Sequence, residues 1–369
     1  MKILHVLYEL KFSGAEIMYV DAAPLFQEMG CQLTVMATGD NPGDFAPHFQ
    51  KAGYRVMHRP YPRGLNIRKR IKYYVQFIRL LKSNHIDVVH IHVSAFMFAL
   101  TCCTWLAGRR SVYTFHNVYP SHRYSYLYHV LQRWAAKNIF GCKFQTISDS
   151  VHDHERNYYH NKTKKIYNWY GAKRYFPSSN GEKKRIREEL NIPDEALVLI
   201  SVGGCSDTKR HTDIIRALPF ILKVVPSVIY LHLGEGEKEP EEKEMTMKMK
   251  LDSHVRFYGN QTDVRKFLIA SDVYVMTSKY EGISITTIEA MACGIPAILY
   301  NVPGLRDFNK SGENSCLIAE DHLLLAEKVV ELYSNPVIFN RLSVNARELV
   351  NNLYQMENNV PEIFNLYNP

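Results

Sequence analysis

Short runs of apolar, β-branched and aromatic residues alternate along the chain with segments whose apolar positions recur every three or four residues. Such runs are typical of strands buried in a parallel sheet, and such segments are typical of the helices that cover it. In the first half, this pattern predicts strands at 3–7, 31–38, 54–58, 88–92, 111–115, 144–147 and 166–170. It also predicts helices at 15–29, 67–84, 93–107 and 124–139, of which the helix at 93–107 is expected to be fully buried.

The second half repeats the alternation after a polar and charged stretch at 174–191. The predicted strands are 197–202, 228–233, 255–258, 272–277 and 296–300, and the predicted helices are 212–224, 241–251, 264–270, 284–293, 323–333 and 336–349. Two such series predict an α/β protein built from two doubly wound parallel sheets. We predict a first Rossmann-like domain over 1–172, a linker over 173–192, a second Rossmann-like domain over 193–350, and a tail over 351–369 that can pack back on the first domain.

The stretch 280–296 joins two predicted strands of the second domain through a helix. Ser284 is suited to cap the helix, and Gly294 followed by Pro296 is a usual way to end one. The first turn therefore presents free backbone N–H groups over 283–286, where the helix dipole favours negative charge by about 0.3–1 kcal/mol. This pattern predicts an anion site, and phosphate is the obvious ligand.

Two glutamates flank this helix start: Glu281 in the turn before it and Glu289 about one turn inside it. Carboxylates accept hydrogen bonds from neighbouring hydroxyl groups, as in many sugar and ribose sites. Taken alone, Glu281 is more simply interpreted as a charged loop residue and Glu289 as a solvated helix residue. Together they resemble the Glu-x7-Glu signature of the retaining glycosyltransferases of family 4. The resemblance implies that Glu281 contacts the donor sugar, that Glu289 contacts the ribose, and that the segment between them binds the donor through Gly282, Ile283, Ser284 and Ile285.

A glycine-containing loop follows the strand at 197–202 and ends at Lys209. It resembles the Gly-Arg-x4-Lys segment of the same family, whose Arg and Lys hold the donor diphosphate, with Gly203 and Lys209 at matching positions. Gly204 stands where the family has the arginine. The resemblance then implies that Lys209 holds the diphosphate alone, that Arg210 substitutes for the arginine, or that the diphosphate is bound more weakly than in the family. Without the resemblance, Lys209 reads as an ordinary exposed lysine, and one lysine does not reproduce the two-pronged contact of an arginine.

Two further segments of the first half resemble the family. Gly14 lies in a small-residue loop after the first strand, where the family brings backbone amides close to the diphosphate or the acceptor. His116 lies in a Thr-x-His-Asn segment that resembles the family's Thr-x-His-Asp, and the resemblance places it near the reacting sugar. A plain tight turn and a structural histidine are the alternatives, and we interpret His90 and His92 as mainly structural.

The resemblance extends over essentially the whole chain, most strongly over 197–317. It implies a GT-B fold, in which two Rossmann-like domains face each other across a deep cleft. It also implies retaining transfer of a hexose-type sugar, through same-face displacement, from a UDP- or GDP-linked donor to a glycan, phosphorylated or lipid-linked acceptor of polysaccharide, capsule or lipopolysaccharide biosynthesis. No cofactor is expected. The chain has no Asp-x-Asp pair to hold a diphosphate-bound metal and no Gly-x-Gly-x-x-Gly fingerprint, so a metal-independent transferase is favoured over a hydride-transfer enzyme.

Composition is that of an ordinary globular protein: 369 residues, 46% hydrophobic and 22% charged. The seven cysteines form no Cys-x-x-Cys pair, so we expect reduced thiols in a cytoplasm rather than disulfides or a zinc site. The longest apolar run, 93–107, is shorter than the roughly 20 residues that span a bilayer.

The net charge of +8 is uneven, because residues 1–170 contain 22 Lys and Arg against 10 Asp and Glu. A basic amphipathic segment at 63–82 can rest on anionic lipid, although a helix with a solvated face is the simpler explanation. We therefore expect a cytoplasmic protein that contacts the inner face of the membrane through its first domain and does not bind nucleic acid. Two alternatives stay open: a sugar-nucleotide epimerase of the same fold, and a non-enzymatic protein that binds anionic surfaces or nucleic acid.

Overall fold

The computed structural model describes residues 1–64, 66–118 and 125–368. Within these residues the strands are β1 (Lys2–Leu7), β2 (Gln32–Ala37), β3 (Arg55–His58), β4 (Val88–Ile91), β5 (Arg110–Phe115), β6 (Lys143–Thr146), β7 (Lys164–Lys165), β8 (Val198–Val202), β9 (Ile229–Leu233), β10 (Val255–Gly259), β11 (Val273–Met276), β12 (Ala297–Tyr300) and β13 (Cys316–Ile318).

The helices of the first half are α1 (Gly14–Asp21), α2 (Ala23–Glu28), α3 (Ala46–Lys51), α4 (Ile67–Ser83), α5 (Met97–Leu106), α6 (Tyr126–Asn138) and α7 (Asp149–Asp153). Those of the second half are α8 (Glu182–Glu189), α9 (His211–Leu222), α10 (Glu239–Lys248), α11 (Val264–Ala270), α12 (Ile285–Ala292), α13 (His322–Ser334), α14 (Pro336–Leu353) and α15 (Met356–Tyr367). A π-helical turn at His154–Tyr158 and a 3-10 turn at Arg306–Phe308 complete the set for the described residues.

The strands form two sheets, in the orders β3-β2-β1-β4-β5-β6-β7 and β10-β9-β8-β11-β12-β13. Every strand pairing among the described residues is parallel. The predicted α/β architecture of two doubly wound parallel sheets is therefore confirmed. In each sheet the strand order reverses beside the first strand, between β1 and β4 and between β8 and β11. Open sheets of this kind bind ligands beyond the carboxyl ends of the strands at this switch point.

The central strands are buried on both faces because helices cover both sides of each sheet. Ile3, Leu4 and Val6 of β1 and Val273 and Val275 of β11 are completely inaccessible to solvent. This burial accounts for the continuous apolar runs, in place of strict apolar–polar alternation, from which the strands are predicted.

The chain divides into two compact units, and we describe each by itself. The first unit comprises Met1–Trp169 and Met356–Pro369, and the second comprises Tyr170–Gln355. The stretch that the sequence suggests as a linker contains α8, whose Arg187 belongs to the core of the second unit, since its guanidinium donates to Ala270 O at 2.9 Å and to Asp272 Oδ2 at 2.8 Å. The last helix, α15, belongs to the first unit, where the Tyr367 hydroxyl lies 2.7 Å from His90 Nδ1.

Several predicted elements differ from the structure. The helix predicted at 15–29 is two helices, because the chain breaks at Ala22, and Pro24 occupies the first turn of α2. The strand predicted at 166–170 is wrong: β7 covers Lys164–Lys165, and the chain then turns so that the Trp169 indole N–H donates to Met18 O at 3.0 Å. The start predicted at 124 for the fourth helix lies outside the described residues.

The predicted buried helix at 93–107 is α5, and its burial is only partial. Trp105 and Leu106 at its end are 50% and 57% exposed. Among the described residues, no helix combines the length and the apolar character needed to cross a membrane.

Candidate active site

The loops after β8 and β11 are tied together at the switch point of the second sheet. The buried Thr277 hydroxyl, just after β11, donates to Lys209 O at 3.0 Å and to Arg210 O at 2.9 Å. The Lys279 backbone N–H donates to Thr208 O at 2.8 Å. These bonds fix the backbone on both sides of Lys209, so its side chain starts from a defined place at the carboxyl edge of the sheet.

Lys209 and Glu281, predicted from separate motifs, form an ion pair. Lys209 Nζ donates to Glu281 Oε1 at 2.6 Å, and the Ser278 hydroxyl donates to the same oxygen at 2.7 Å. The two charged side chains are 22% and 15% exposed, respectively, which is enclosed enough to fix their geometry and open enough for a ligand to reach them. The second oxygen of Glu281 has no part in these two bonds.

The backbone of Glu281 is held by the loop that follows β12. Its N–H donates to Pro303 O at 3.0 Å, and Gly304 packs against its carbonyl group. Gly304 has φ +81°, and a Cβ atom there would lie 2.3 Å from Glu281 O. Only glycine satisfies both the left-handed backbone and this close approach.

The glycines after β8 allow a second close approach, to the loop after β9. Gly203 N donates to Leu233 O at 2.9 Å, and a Cβ at Gly204 would lie 3.3 Å from Glu235 O. Gly203 also lies beside the aliphatic part of Lys209, since a Cβ there would lie 3.2 Å from Lys209 Cε. The loop is therefore tightly packed where the family carries its arginine.

The amino end of α12 lies next in this unit. Ser284 caps the helix as predicted: its hydroxyl accepts the Thr287 N–H at 3.2 Å. The helix begins at Ile285, so the amides of Ile285 and Thr286 are the donors of the first turn that this cap does not use. Gly282 and Ile283, which precede the cap, are buried.

Glu289 lies in the second turn of α12 and is only 5% exposed. The interpretation of this residue as a solvated helix position is therefore wrong. A buried carboxylate so close to the switch point needs polar partners.

Arg210 makes contacts that the sequence does not predict. Its backbone is left-handed, with φ +52°, and its guanidinium pairs with Asp213 at 2.7 Å and with Glu320 at 2.5 Å. It also lies over the Tyr300 ring, 5.3 Å from the centroid. Arg210 is held by two carboxylates and Lys209 by one, so Lys209 is the better placed cation. That Arg210 binds the nucleotide-sugar donor stays a prediction.

In the first unit, His116 follows β5 and belongs to a row of imidazole rings. His116 Nε2 lies 2.9 Å from His92 Nδ1, and His92 Nε2 lies 3.2 Å from His5 Nδ1. Desolvation of the ring lowers the pKa of His116 to about 4. His116 is therefore neutral at pH 7 and can exchange a hydrogen bond with a ligand without carrying charge.

Gly14 is the first residue of α1, and residues 8–13 connect it to the end of β1. The preceding residue, Ser13, donates through its hydroxyl to the carboxylate of Glu16, whose pKa burial raises. Because β1 and β5 are parallel strands of one sheet, Gly14 and His116 lie at the same carboxyl edge of the first unit.

Sequence reasoning missed two features. The first is a buried group of Cys205, His211, His232 and Glu242, whose side-chain ligand atoms all lie within 4.8 Å of one another. The second is an exposed apolar stripe on α6, formed by Leu127, Leu131 and Trp134. The only sequence signal for the first is a Cys-x5-His spacing after a strand, which is no established metal motif.

The sequence matches two protein families along its length. Residues 12–203 match the family described as Glycosyltransferase Family 4, and residues 182–349 match the one described as Glycosyl transferases group 1. The chain belongs to glycosyltransferase family 4. Family membership makes it a glycosyltransferase, as its resemblance to the family implies.

Two curated relatives of this glycosyltransferase have named substrates. The Escherichia coli UDP-Gal:alpha-D-GlcNAc-diphosphoundecaprenol alpha-1,3-galactosyltransferase is 24% identical over 83% of this chain and 81% of its own length. The Acholeplasma laidlawii alpha-monoglucosyldiacylglycerol synthase is 24% identical over 79% of this chain and 77% of its own length.

Among solved structures, Anabaena HepE in complex with UDP is similar to this glycosyltransferase, with a TM-score of 0.85 and 19% identity over 99% of each chain. WaaG, a glycosyltransferase involved in lipopolysaccharide biosynthesis, has a TM-score of 0.74 and 17% identity over 98% of this chain and 99% of its own. At these identities the likeness concerns the fold, and it confirms the GT-B assignment.

Proposed function

We propose that this glycosyltransferase transfers a hexose-type sugar from UDP, without a divalent metal and with retention of configuration, to a lipid-linked or glycan acceptor of envelope polysaccharide or lipopolysaccharide biosynthesis. The Lys209–Glu281 ion pair beside the first turn of α12 is the observation that carries this proposal. It places a cation, helix amides and a hydrogen-bond acceptor within one small part of the second unit.

The diphosphate is the group best suited to this cation. The Lys209 ammonium and the Ile285 and Thr286 amides would bind it, and the α12 dipole would favour its charge. When the sugar–phosphate bond breaks, negative charge grows on the leaving diphosphate. A fixed ammonium and fixed amides stabilise that charge more than they stabilise the intact donor, which lowers the barrier.

The two carboxylates would hold the hydroxyl groups of the donor. Glu281 accepts hydrogen bonds from Lys209 and Ser278 through one oxygen, and the other would accept from sugar hydroxyls. Glu289, buried in the second turn of α12, would accept from the ribose. We assign retention to same-face displacement assisted by the departing phosphate.

The carboxyl edge of the first unit is the proposed acceptor side. There α1 begins at Gly14. The neutral His116 imidazole can accept a hydrogen bond from an acceptor hydroxyl or donate one to it. His92, hydrogen-bonded to His116, would fix the orientation of that ring.

Three helices of the first unit support a membrane-bound acceptor. α5 contacts both α4 and α6, and exposed apolar residues occur on all three. On α4 they alternate with the exposed basic residues Arg68, Lys69 and Lys72. Apolar side chains flanked by basic ones suit the interface of an anionic bilayer. The exposed apolar residues are Ile67, Ile71, Val75, Trp105, Leu106, Leu127, Tyr128, Leu131 and Trp134.

The names of the relatives support the same substrate classes. The E. coli relative is named for a UDP-Gal donor and a diphosphoundecaprenol-linked acceptor, and the A. laidlawii relative for a diacylglycerol product. HepE has been solved with UDP-glucose.

The test is a thermal-shift panel of UDP-, GDP- and ADP-sugars without added metal, followed by transfer assays with lipid-linked acceptors. We expect UDP-sugars to stabilise the wild type and not Glu289→Gln, whereas the exposed Glu348→Gln on α14 behaves as the wild type. Stabilisation by a GDP- or ADP-sugar would show that the donor carries that nucleotide and not UDP. If an epimerised sugar nucleotide formed without any acceptor, the reaction would be epimerisation and not transfer. No shift with any sugar nucleotide would contradict the proposed donor site.

A further inference from the structure

Four metal-binding side chains from four different places converge in the interior of the second unit. Cys205 lies in the loop after β8, His211 begins α9, His232 lies in β9 and Glu242 lies in α10. They are at most 1% exposed. None of them takes part in the donor site proposed above.

One ligand atom of each residue lies within 4.8 Å of those of the other three, and the four shortest approaches are within about half an ångström of the spacing in a tetrahedral zinc site. His232 Nε2 lies 3.0 Å from His211 Nδ1, 3.0 Å from Glu242 Oε2 and 3.8 Å from Cys205 Sγ, and His211 Nδ1 lies 3.3 Å from Glu242 Oε1. Bonds to zinc of about 2.0–2.1 Å for nitrogen and about 2.3 Å for sulfur place neighbouring ligands about 3.3–3.7 Å apart in a tetrahedron. The four groups are therefore close enough to share one cation after small side-chain adjustments.

Hydrogen bonds alone do not explain this arrangement. The same two ring nitrogens, His211 Nδ1 and His232 Nε2, contact both each other and Glu242. If both carry a proton and donate to Glu242, the two N–H groups face each other across 3.0 Å. If one of them accepts a hydrogen bond from the other, that nitrogen has no proton to donate to the carboxylate. Within the described part of the chain, Glu242 Oε2 has no partner with good hydrogen-bond geometry, although His232 Nε2 lies only 3.0 Å away. A cation at the centre resolves the conflict, because all four atoms then serve as lone-pair donors.

We propose that Cys205, His211, His232 and Glu242 bind one structural Zn²⁺ ion. Two neutral imidazoles, a thiolate and a carboxylate balance the charge of the ion, and this mixture of nitrogen, sulfur and oxygen suits zinc better than magnesium or calcium. Four protein ligands leave no open position, so the ion has no part in the chemistry of transfer. Binding releases the thiol proton of Cys205, which otherwise donates to Gly234 O at 3.5 Å.

The ion fastens the loop that presents Lys209. Cys205 lies between Gly203 and Lys209, and His211 follows Arg210, so two ligands bracket the diphosphate-binding residues in the sequence. The other two attach this loop to β9 and α10. Zinc binding therefore stabilises the second unit and orders the loop whether or not the proposed donor is the correct one.

Zinc content tests the proposal independently of transferase activity. Protein freed of its affinity tag is stripped with a chelator, titrated with zinc chloride and analysed for bound metal by mass spectrometry. We expect about one zinc per chain in the wild type and at least about tenfold weaker binding in Cys205→Ser. Cys293→Ser removes a buried cysteine of the same unit outside the group and should bind zinc as the wild type does.

Cobalt substitution of the wild type covers the case in which Cys205→Ser does not fold. Tetrahedral Co²⁺ bound to a thiolate gives strong sulfur-to-cobalt charge-transfer and visible bands, which we expect at one equivalent, together with a higher Tm on adding zinc. Absence of these bands, or zinc bound equally by the wild type and Cys205→Ser, overturns the proposal.

Discussion

Lys209 and Glu281 share a 2.6 Å hydrogen bond although 72 residues separate them in the chain. The pair exists because the loops after β8 and β11 meet where the strand order of the second sheet reverses. In the proposed donor site, Glu281 would orient the Lys209 ammonium before the donor arrives, and the donor phosphate would then compete with the Glu281 carboxylate for it.

Removing the Lys209 charge should affect the reaction more than the fold. In Lys209→Met we expect kcat/KM for sugar transfer to fall by about 10²–10³-fold, because the leaving diphosphate loses its cation. Steady-state kinetics with the donor identified by thermal shift provide the measurement. Lys279→Met, in the same loop region but exposed, is the control and should retain activity. Equal losses in both variants would refute a specific role for Lys209.

Gly304 should be irreplaceable because of what it touches. Gly304→Ala forces a Cβ to within 2.3 Å of Glu281 O, so Glu281 must move and transfer activity should be lost along with several degrees of Tm. Gly312→Ala has the same backbone strain, with φ +82°, but a Cβ there meets nothing within 4 Å. The control should show only the strain, about 1 kcal/mol, and keep its activity. Circular-dichroism melting and the transfer assay distinguish the two outcomes.

The buried His5 should make the protein acid-sensitive. Burial lowers its pKa to about 3, from an ordinary value of about 6.5, so between these values the unfolded chain binds a proton that the folded protein does not. Folding stability therefore falls as the pH drops through this window, and His5 accounts for about 2 kcal/mol of the loss at pH 5.

The comparison of the wild type with His5→Phe isolates this effect. The ring of His5 lies against Tyr19 and Tyr54, so phenylalanine suits the site, although the hydrogen bond to His92 is lost. We expect urea unfolding to show a smaller difference in stability between pH 8 and pH 5 for the variant. His90 and His92, which also have lowered pKa values because of burial, remain in both proteins. Parallel pH profiles would show that His5 does not titrate in this way.

The apolar stripe of α6 should be needed for binding to membranes. Changing Leu127, Leu131 and Trp134 together to serine removes side chains that are 69%, 63% and 57% exposed, so the fold should hold. Sedimentation with vesicles of phosphatidylglycerol and phosphatidylcholine should show binding weakened by about tenfold or more.

The matched control for α6 lies in the second unit. Val337→Ser/Val344→Ser removes apolar side chains that are 76% and 64% exposed on α14 and should bind vesicles as the wild type does. Added salt should weaken wild-type binding, because the basic residues of α4 contribute through charge. Equal binding by all three proteins would exclude α6 as the contact.

Local sequence pattern predicted the features that depend on neighbouring residues. The strands of both sheets follow apolar runs, and α12 begins after its serine cap because capping needs only Ser284 and Thr287. Glu281 and Lys209 were predicted from motifs that lie at strand ends, and their placement at one switch point follows from the sheet order.

The features that sequence did not predict depend on contacts between distant segments. The zinc-type group draws its four residues from a loop, a strand and two helices, with spacings that match no motif. The sequence suggests Arg210 as an additional phosphate ligand, but its guanidinium is bound by Glu320, which lies 110 residues away in the chain. An apolar period of three or four residues predicted α6 and could not show that its stripe is exposed among the residues that the structure describes.

The first unit is built from two separate segments of the chain, so its parts are synthesised at different times. The first unit is interrupted after Trp169 and completed only by Met356–Pro369, so the ribosome must finish the entire second unit before the first has its final helix. Until then the buried His90 lacks one of its two hydrogen-bond partners: Thr114 is present, but Tyr367 has yet to be made. The second unit is therefore free to fold first, and the amino-terminal half can become native only after Met356–Pro369 has been synthesised.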